Sequence, residues 1–125
     1  MTNYPLGDFL IRIKNAALAR GKEVLVPSTK QIKAAAGALK RAGYLEEIGQ
    51  EKGFLKVNIT YKRKKPLIMG LKLISRPGLR IYMGVSQIEK KKGPSILLVS
   101  TPKGILTSRE AVKERLGGEV LGEVW

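Results

Sequence analysis

The sequence predicts an α+β fold: an N-terminal α-β-α-β-β domain over residues 1–65, then a C-terminal β-rich domain with one short helix over residues 66–125. Three observations predict it. Apolar residues recur at helical spacing in 5–19 and 28–42 and alternate with polar ones in 54–60. Short apolar runs bounded by Pro and Gly fill the second half. Between the two patterns lies Lys62-Arg63-Lys64-Lys65-Pro66. Four like charges and a proline suit a linker or a sheet edge better than a core.

The first helix is predicted over 5–19. Leu6, Phe9, Leu10, Ile13 and Ala17 form one apolar stripe, with Arg12, Lys14, Asn15 and Arg20 off it. Asn3 is a candidate cap, Pro5 is tolerated in the first turn, Asp8 lies near the positive dipole end, and Gly21 is the stop. Glu23 to Val26 suits a short strand ended by Pro27. Ser28 is then expected to open a second helix, with Gln31 completing a capping box and Gly43 closing the C-terminus. Its buried stripe is Ile32, Ala35, Ala36 and Leu39.

Residues 44–48 and 54–61 read as a hairpin turned by Glu51-Lys52-Gly53. Past the basic segment, strands are expected near 67–75 and 79–83. Between them Arg76-Pro77-Gly78 favours a type II turn, because Gly accepts the positive φ. Lys90-Lys91-Lys92 and Gly93-Pro94 precede a strand over 95–100. A loop, Ser100-Thr101-Pro102-Lys103-Gly104, leads to a short helix over 108–115 capped by Thr107 or Ser108. Gly117-Gly118 ends that helix, and 119–124 form the last strand.

The chain of 125 residues carries 24 Lys and Arg against 10 Asp and Glu, a net charge of +14, with no His and no Cys. The excess sits in front and middle: residues 62–92 hold ten basic groups and one acid, whereas 93–125 balance four against four. Such a field calls for a polyanion. No His/Cys cluster is available for a transition metal, and no imidazole base exists. Glu46-Glu47 are the only adjacent acids, and on a regular strand they face opposite ways. No phosphate-loop or dinucleotide fingerprint occurs. The expectation is a protein without catalytic residues, metal, cofactor or small-molecule substrate. No apolar run reaches the roughly 18 residues of a membrane span and no signal peptide is evident, and the expected location is cytoplasmic.

The basic residues divide by environment. Lys62, Arg63, Lys64, Lys65, Arg76, Arg80, Lys90, Lys91 and Lys92 are candidates for phosphate attraction, which supplies affinity without sequence choice. The Ser100–Gly104 loop has two readings: a plain connection with capping residues, or short hydroxyls and free amides that meet RNA base edges and sugars. Tyr82 is either a core aromatic or a platform for an unpaired base. A nucleic-acid-modifying enzyme and a general DNA-packaging protein are the alternatives to an RNA-binding assembly protein.

Ser75-Arg76-Pro77-Gly78-Leu79-Arg80-Ile81-Tyr82 carries a family resemblance. Val99-Ser100-Thr101, Lys103-Gly104, Leu106-Thr107, Glu110-Ala111 and Gly117-Gly118-Glu119-Val120 extend it, as do Gly7 to Ala16 and Pro27 to Lys30. In this order and spacing the chain resembles the bacterial form of the eighth protein of the small ribosomal subunit, over nearly its whole length. The resemblance implies a primary binder of the central domain of small-subunit rRNA. Such a protein stabilises a bulged irregular helix during assembly beside neighbouring small-subunit proteins, and some members repress their own operon through an mRNA mimic. It places Tyr82, Ser100, Thr101, Lys103, Gly104 and Glu119 close to RNA bases and sugars. It carries Arg12, Asn15, Ser28 and Lys30 toward a second rRNA segment, and Lys14 on the same helix is a further phosphate candidate. Three positions depart from the family pattern. Pro102 replaces a usual Ser, removing a hydroxyl and an amide donor. Arg115 stands where Gly is common, and Gly93-Pro94-Ser95 replaces a usual Gly-Leu-Gly.

Overall fold

A computed structural model describes residues 4–91 and 93–125. The α+β class holds. The first helix, α1 (Pro5–Leu18), buries the anticipated stripe of Leu6, Phe9, Leu10, Ile13 and Ala17. Asn3 lies outside the described residues. Gly21 is not the residue that turns the chain: Arg20 takes the left-handed conformation, φ +60°, and the Gly21 amide returns to the Ala16 carbonyl at 2.8 Å.

Strand β1 (Glu23–Pro27) leads to α2 (Lys30–Arg41). Here the expected cap is wrong by one residue. Thr29 Oγ1 accepts from the Ile32 amide at 3.1 Å, and Ser28 and Gln31 form no capping box. Ser28 is still tied to the β2–β3 hairpin turn. Its amide donates to Gly53 O at 3.1 Å and its hydroxyl pairs with Gln50 Oε1, so the helix cannot begin until one residue later.

Strands β2 (Leu45–Glu51) and β3 (Phe54–Ile59) form the anticipated hairpin, with Gly53 at φ +71°. The sheet order is β1-β3-β2, antiparallel throughout. A bulge interrupts β2 between Leu45 and Ile48. Glu46 and Glu47 occupy that bulge, so the strict alternation expected of them does not apply.

The Lys62–Pro66 segment is a tight two-stranded hairpin, which fits the sheet-edge expectation and not the linker one. Two short strands, β4 (Tyr61–Lys62) and β5 (Lys65–Pro66), pair around Arg63 at φ +55° and Lys64 at φ +66°. Two left-handed central residues define a type I′ turn, which normally takes Asn-Gly. Each non-glycine residue held there costs about 1–2 kcal/mol.

In the second half the strand expected near 67–75 shortens to β6 (Leu71–Leu73), and that near 79–83 to β7 (Tyr82–Met83). The Pro-Gly turn between them forms as anticipated, with Gly78 at φ +86° and Arg76 bridged to Leu79. Buried Ser75 closes it by accepting from the Ile81 amide at 2.9 Å. A helix that periodicity did not suggest, α3 (Val85–Glu89), follows. Five residues are too few to display a repeat.

Strand β8 (Ile96–Thr101) turns into β9 (Gly104–Thr107). The Ser100–Gly104 loop is therefore a hairpin corner made by Pro102 and Lys103, with Gly104 at φ +113°. Helix α4 (Ser108–Glu114) carries a reciprocal cap between Thr107 and Glu110, and Arg115 ends it in the left-handed position that glycine usually fills. Strand β10 (Gly118–Val124) completes a five-stranded sheet of order β6-β10-β8-β9, with β7 also on β10.

That sheet is covered on both sides. Ile96, Leu98, Ile105, Leu121 and Val124 join α1, α2 and the front sheet in the larger core. Leu97, Val99 and Val120 pack with Ile88 and Ala111 of α3 and α4 in a smaller one. The larger core draws on residues from both sides of the Lys62–Pro66 hairpin. A polar clamp joins the same regions. Arg41 on α2 donates to both Glu110 oxygens, at 2.7 and 3.2 Å, and to Ile105 O at 3.1 Å.

Two consequences can be measured. A Cβ on Gly118 would stand 2.0 Å from Ser100 O and 2.9 Å from its carbonyl carbon, both backbone atoms. Gly118→Ala is expected to lower stability in urea unfolding by about 2–4 kcal/mol, at the upper end of overpacking costs. The second concerns pH. The Glu110 carboxyl lies below its ordinary range, first because Arg41 donates to it. The folded state therefore favours the ionised form. This stabilisation is complete above the unfolded carboxylate value and disappears as pH falls through the lower folded one. Urea midpoints taken from neutral to acidic pH should fall less steeply for Glu110→Gln than for the parent chain. Identical slopes would show that the clamp does not couple to folding.

Candidate nucleic-acid interface

The end of the five-stranded sheet assembles a row of polar side chains. Tyr82 on β7 lies opposite Glu119 on β10, and Glu119 lies opposite Ser100 on β8. Residues directly opposed across neighbouring strands share a face, so the three side chains stand side by side. Tyr82 is 67% exposed. It is a surface aromatic and not a core one.

Arg80 leans over this row. Its Nη1 lies 3.1 Å from Glu119 Oε2, and its Cζ lies 5.4 Å from the centroid of the Tyr4 ring. The Tyr4 hydroxyl donates to Ser75 O at 3.4 Å, and burial pushes its phenol above the ordinary value. Arg80 therefore differs from the free phosphate cation that the sequence suggested. Its charge is balanced by Glu119, and the row as a whole offers hydroxyl, phenol, carboxylate and guanidinium groups with little net charge.

Beside the row runs a cleft of about 510 Å³. Arg80, Ser100 and Glu119 line it together with Tyr4 and with Lys30 and Gln31 from the start of α2. Gly104 reaches the same cleft. Lys30 is thus brought to residues that lie 50 to 90 positions further along the chain.

Thr101 is separated from Ser100. Neighbours on a strand point to opposite faces, and the Thr101 hydroxyl is used inside the hairpin corner. It donates to Gly104 O at 2.8 Å and accepts from the Lys103 amide at 3.2 Å. Lys103 Nζ lies 3.5 Å from Glu114. Of the anticipated hydroxyl pair, only Ser100 faces the cleft.

The remaining anticipated residues are dispersed. Arg12 donates to Leu25 O at 3.2 Å, Lys14 is half-buried on α1, Asn15 is exposed, and Ser28 is engaged by Gln50. Lys62, Arg63, Lys64 and Lys65 project from the β4–β5 hairpin, whose groove shares no residue with the cleft. Arg76 is exposed on the Pro-Gly turn and Lys90 at the end of α3. Lys91 is pinned between Glu123 at 3.1 Å and Ser95 Oγ at 2.6 Å. The hydrogen bond from the Ser95 hydroxyl, and then the Lys91 contact, hold the Glu123 carboxyl low. Lys92 lies outside the described residues.

Tyr4 and Gln31 are polar members of the cleft that the sequence does not mark as site residues. Tyr4 precedes a helix and shows no local signal linking it to Arg80. Gln31 has the spacing of a capping box and instead lines the cleft. Among the described residues, no group of three or more His, Cys, Asp or Glu is placed to hold a metal ion, and no helix is long and apolar enough to cross a membrane.

Comparison with known proteins gives a consistent result. The family model described as Ribosomal protein S8 matches residues 4–125. A small ribosomal subunit protein uS8 from Nitratidesulfovibrio vulgaris strain DP4 is 41% identical over 126 aligned positions, covering 100% of both chains. The protein of that name from Persephonella marina is 45% identical over 136 positions, again covering 100% of both. That from Chloroflexus aurantiacus is 42% identical over 130 positions and 98% of each chain. With the family model spanning almost every residue and relatives matching end to end, the chain belongs to the ribosomal protein S8 family.

Proposed function

We propose that this protein is a structural, non-enzymatic constituent of the small ribosomal subunit that binds the central domain of its rRNA and stabilises a bulged, irregular helix during assembly in the cytoplasm. The observation that carries the reading is the Tyr82–Glu119–Ser100 row with Arg80 across it. A regular A-form helix hides its base edges in a deep, narrow groove, whereas a bulge exposes them. An exposed tyrosine supplies a stacking surface. Ser100 and Glu119 supply a donor and acceptors for base edges or ribose hydroxyls. Lys30 supplies a charge for the backbone in the same cleft.

Affinity and choice are divided. Arg76 and Lys90 are exposed and take part in no ion pair among the described residues, so they attract phosphate without reading sequence. The row is close to neutral and contributes selectivity. Residues 1–65 and 66–125 act as two domains that together line one RNA-facing cleft. The exposed Leu25 and Phe54 of the front sheet offer a surface to a neighbouring small-subunit protein. An mRNA segment folded like the bulged rRNA would occupy the same row and repress synthesis of the protein itself.

Filter binding with a bulged rRNA transcript and a scrambled control tests the division. Tyr82→Ala is expected to remove about 1–3 kcal/mol from binding the bulged RNA, the range for one stacked base, without altering the salt slope. Arg76→Ala with Lys90→Ala is expected to lower that slope by about 1.4–1.8 and to weaken both RNAs alike. Equal losses on bulged and scrambled RNA for the tyrosine variant would sink the assignment of the row.

A further inference from the structure

The β4–β5 hairpin carries a second set of observations that the sheet row does not use. Among the described residues four non-glycine positions have left-handed backbone, and all four are Arg or Lys: Arg20, Arg63, Lys64 and Arg115. Three of them meet at one place. Arg20 at the end of α1 donates from Nη1 to Lys64 O at 3.5 Å, and the Tyr61 hydroxyl donates to Gly21 O, fastening the hairpin to the helix end. Five cations, Arg20, Lys62, Arg63, Lys64 and Lys65, are thereby gathered on one projection. None of them takes part in an ion pair among the described residues.

Both local chemistry and electrostatics oppose this arrangement. A type I′ turn prefers Asn-Gly, and neighbouring like charges repel. Strain that the surroundings hold in place marks a site with a use. Beneath the cations lies a groove of about 470 Å³ lined by Lys62, Arg63, Lys65, Pro66, Leu67 and Met69. Met69 is 70% exposed, so the floor is apolar and open while the rim is cationic. A duplex would present only phosphates to this prong and leave the floor wet. An unpaired strand presents phosphates to the rim and a base or sugar face to the floor.

We propose that the β4–β5 hairpin, braced by Arg20, is a second RNA-binding site that grips an unpaired strand, its phosphates on Lys62 to Lys65 and a base or ribose face on Pro66, Leu67 and Met69. This deepens the functional reading above and rests on it. The left-handed turn aims two cations outward from the corner, where Asn-Gly would fold more readily and bind nothing.

The test separates fold from binding. Arg63→Asn with Lys64→Gly supplies the preferred turn. The full-length variant should melt at or above the parent temperature. It should bind the central-domain rRNA transcript and an unstructured uridine oligomer about tenfold more weakly, with a salt slope lower by about 1.4 to 1.8. Unchanged affinity and slope in the folded variant would overturn the proposal. Should that variant fail to fold, Arg63→Gln with Lys64→Gln reads the same loss in an unaltered turn. Met69→Ser is expected to weaken the uridine oligomer about threefold and leave a paired RNA duplex unaffected. Equal effects on the two would overturn the assignment to an unpaired strand. Binding of a poly-glutamate peptide as tight as that of the oligomer, lost in the same variant, would reassign the prong to an acidic protein. Failure of the parent chain to bind the transcript at all would overturn the wider functional reading instead.

Discussion

Strand β10 holds the molecule and its site together through backbone contact that only glycine permits. It pairs with β6, β7 and β8, so segments beginning near 71, 82 and 96 all register against its seven residues. At its start, a side chain on Gly117 would meet Met83 O at 2.6 Å, and one on Gly118 would meet Ser100 O at 2.0 Å. The close approach sets the position of Ser100 and Tyr82 on either side of Glu119. The far end is anchored by Trp125, whose carbonyl accepts from Met69 and Gly70 while its ring lies against Gly70. Both faces of the sheet are then buried, and the polar row is what remains where the covering helices stop.

The charge of the protein does two different things. Where an acid is near, as at Arg80 with Glu119, Arg41 with Glu110 and Lys91 with Glu123, the cation orients groups and joins elements. Where no acid is near, as along the β4–β5 hairpin, the cation is held outward even against backbone preference. A net charge of +14 hides this distinction. The second group leaves its charge available to a polyanion, whereas a paired guanidinium such as that of Arg80 offers directed hydrogen bonds at little net charge.

Some features were legible because they are local. The stripe from Leu6 to Ala17, the alternation in β3, the Pro77-Gly78 turn and the Thr107 cap with Glu110 depend on residues a few positions apart. Others were misread for equally definite reasons. Ser28 has the chemistry of a cap but is held to the β2–β3 hairpin turn by Gly53 O, so Thr29 takes the role. Lys62 to Pro66 reads as a linker or a sheet edge, because like charges and proline disfavour a core; it is an edge hairpin, and nothing local announces a turn made by Arg and Lys. The Ser100–Gly104 stretch looks like a loop because β9 has only four residues.

By itself the sequence determined the class of the fold, the cationic nature of the surface, the absence of His and Cys, and the family. Each of these follows from composition, short periods or ordered motifs. Tertiary structure decided which residues act together. It set Tyr82 on the surface, turned Thr101 away from Ser100, tied Arg80 to Glu119 above Tyr4, and brought Lys30 into one cleft with Arg80, Ser100 and Glu119. The reason is that opposition across strands and packing between helix and sheet depend on register between distant segments, and a one-residue slip would send every side chain to the other face.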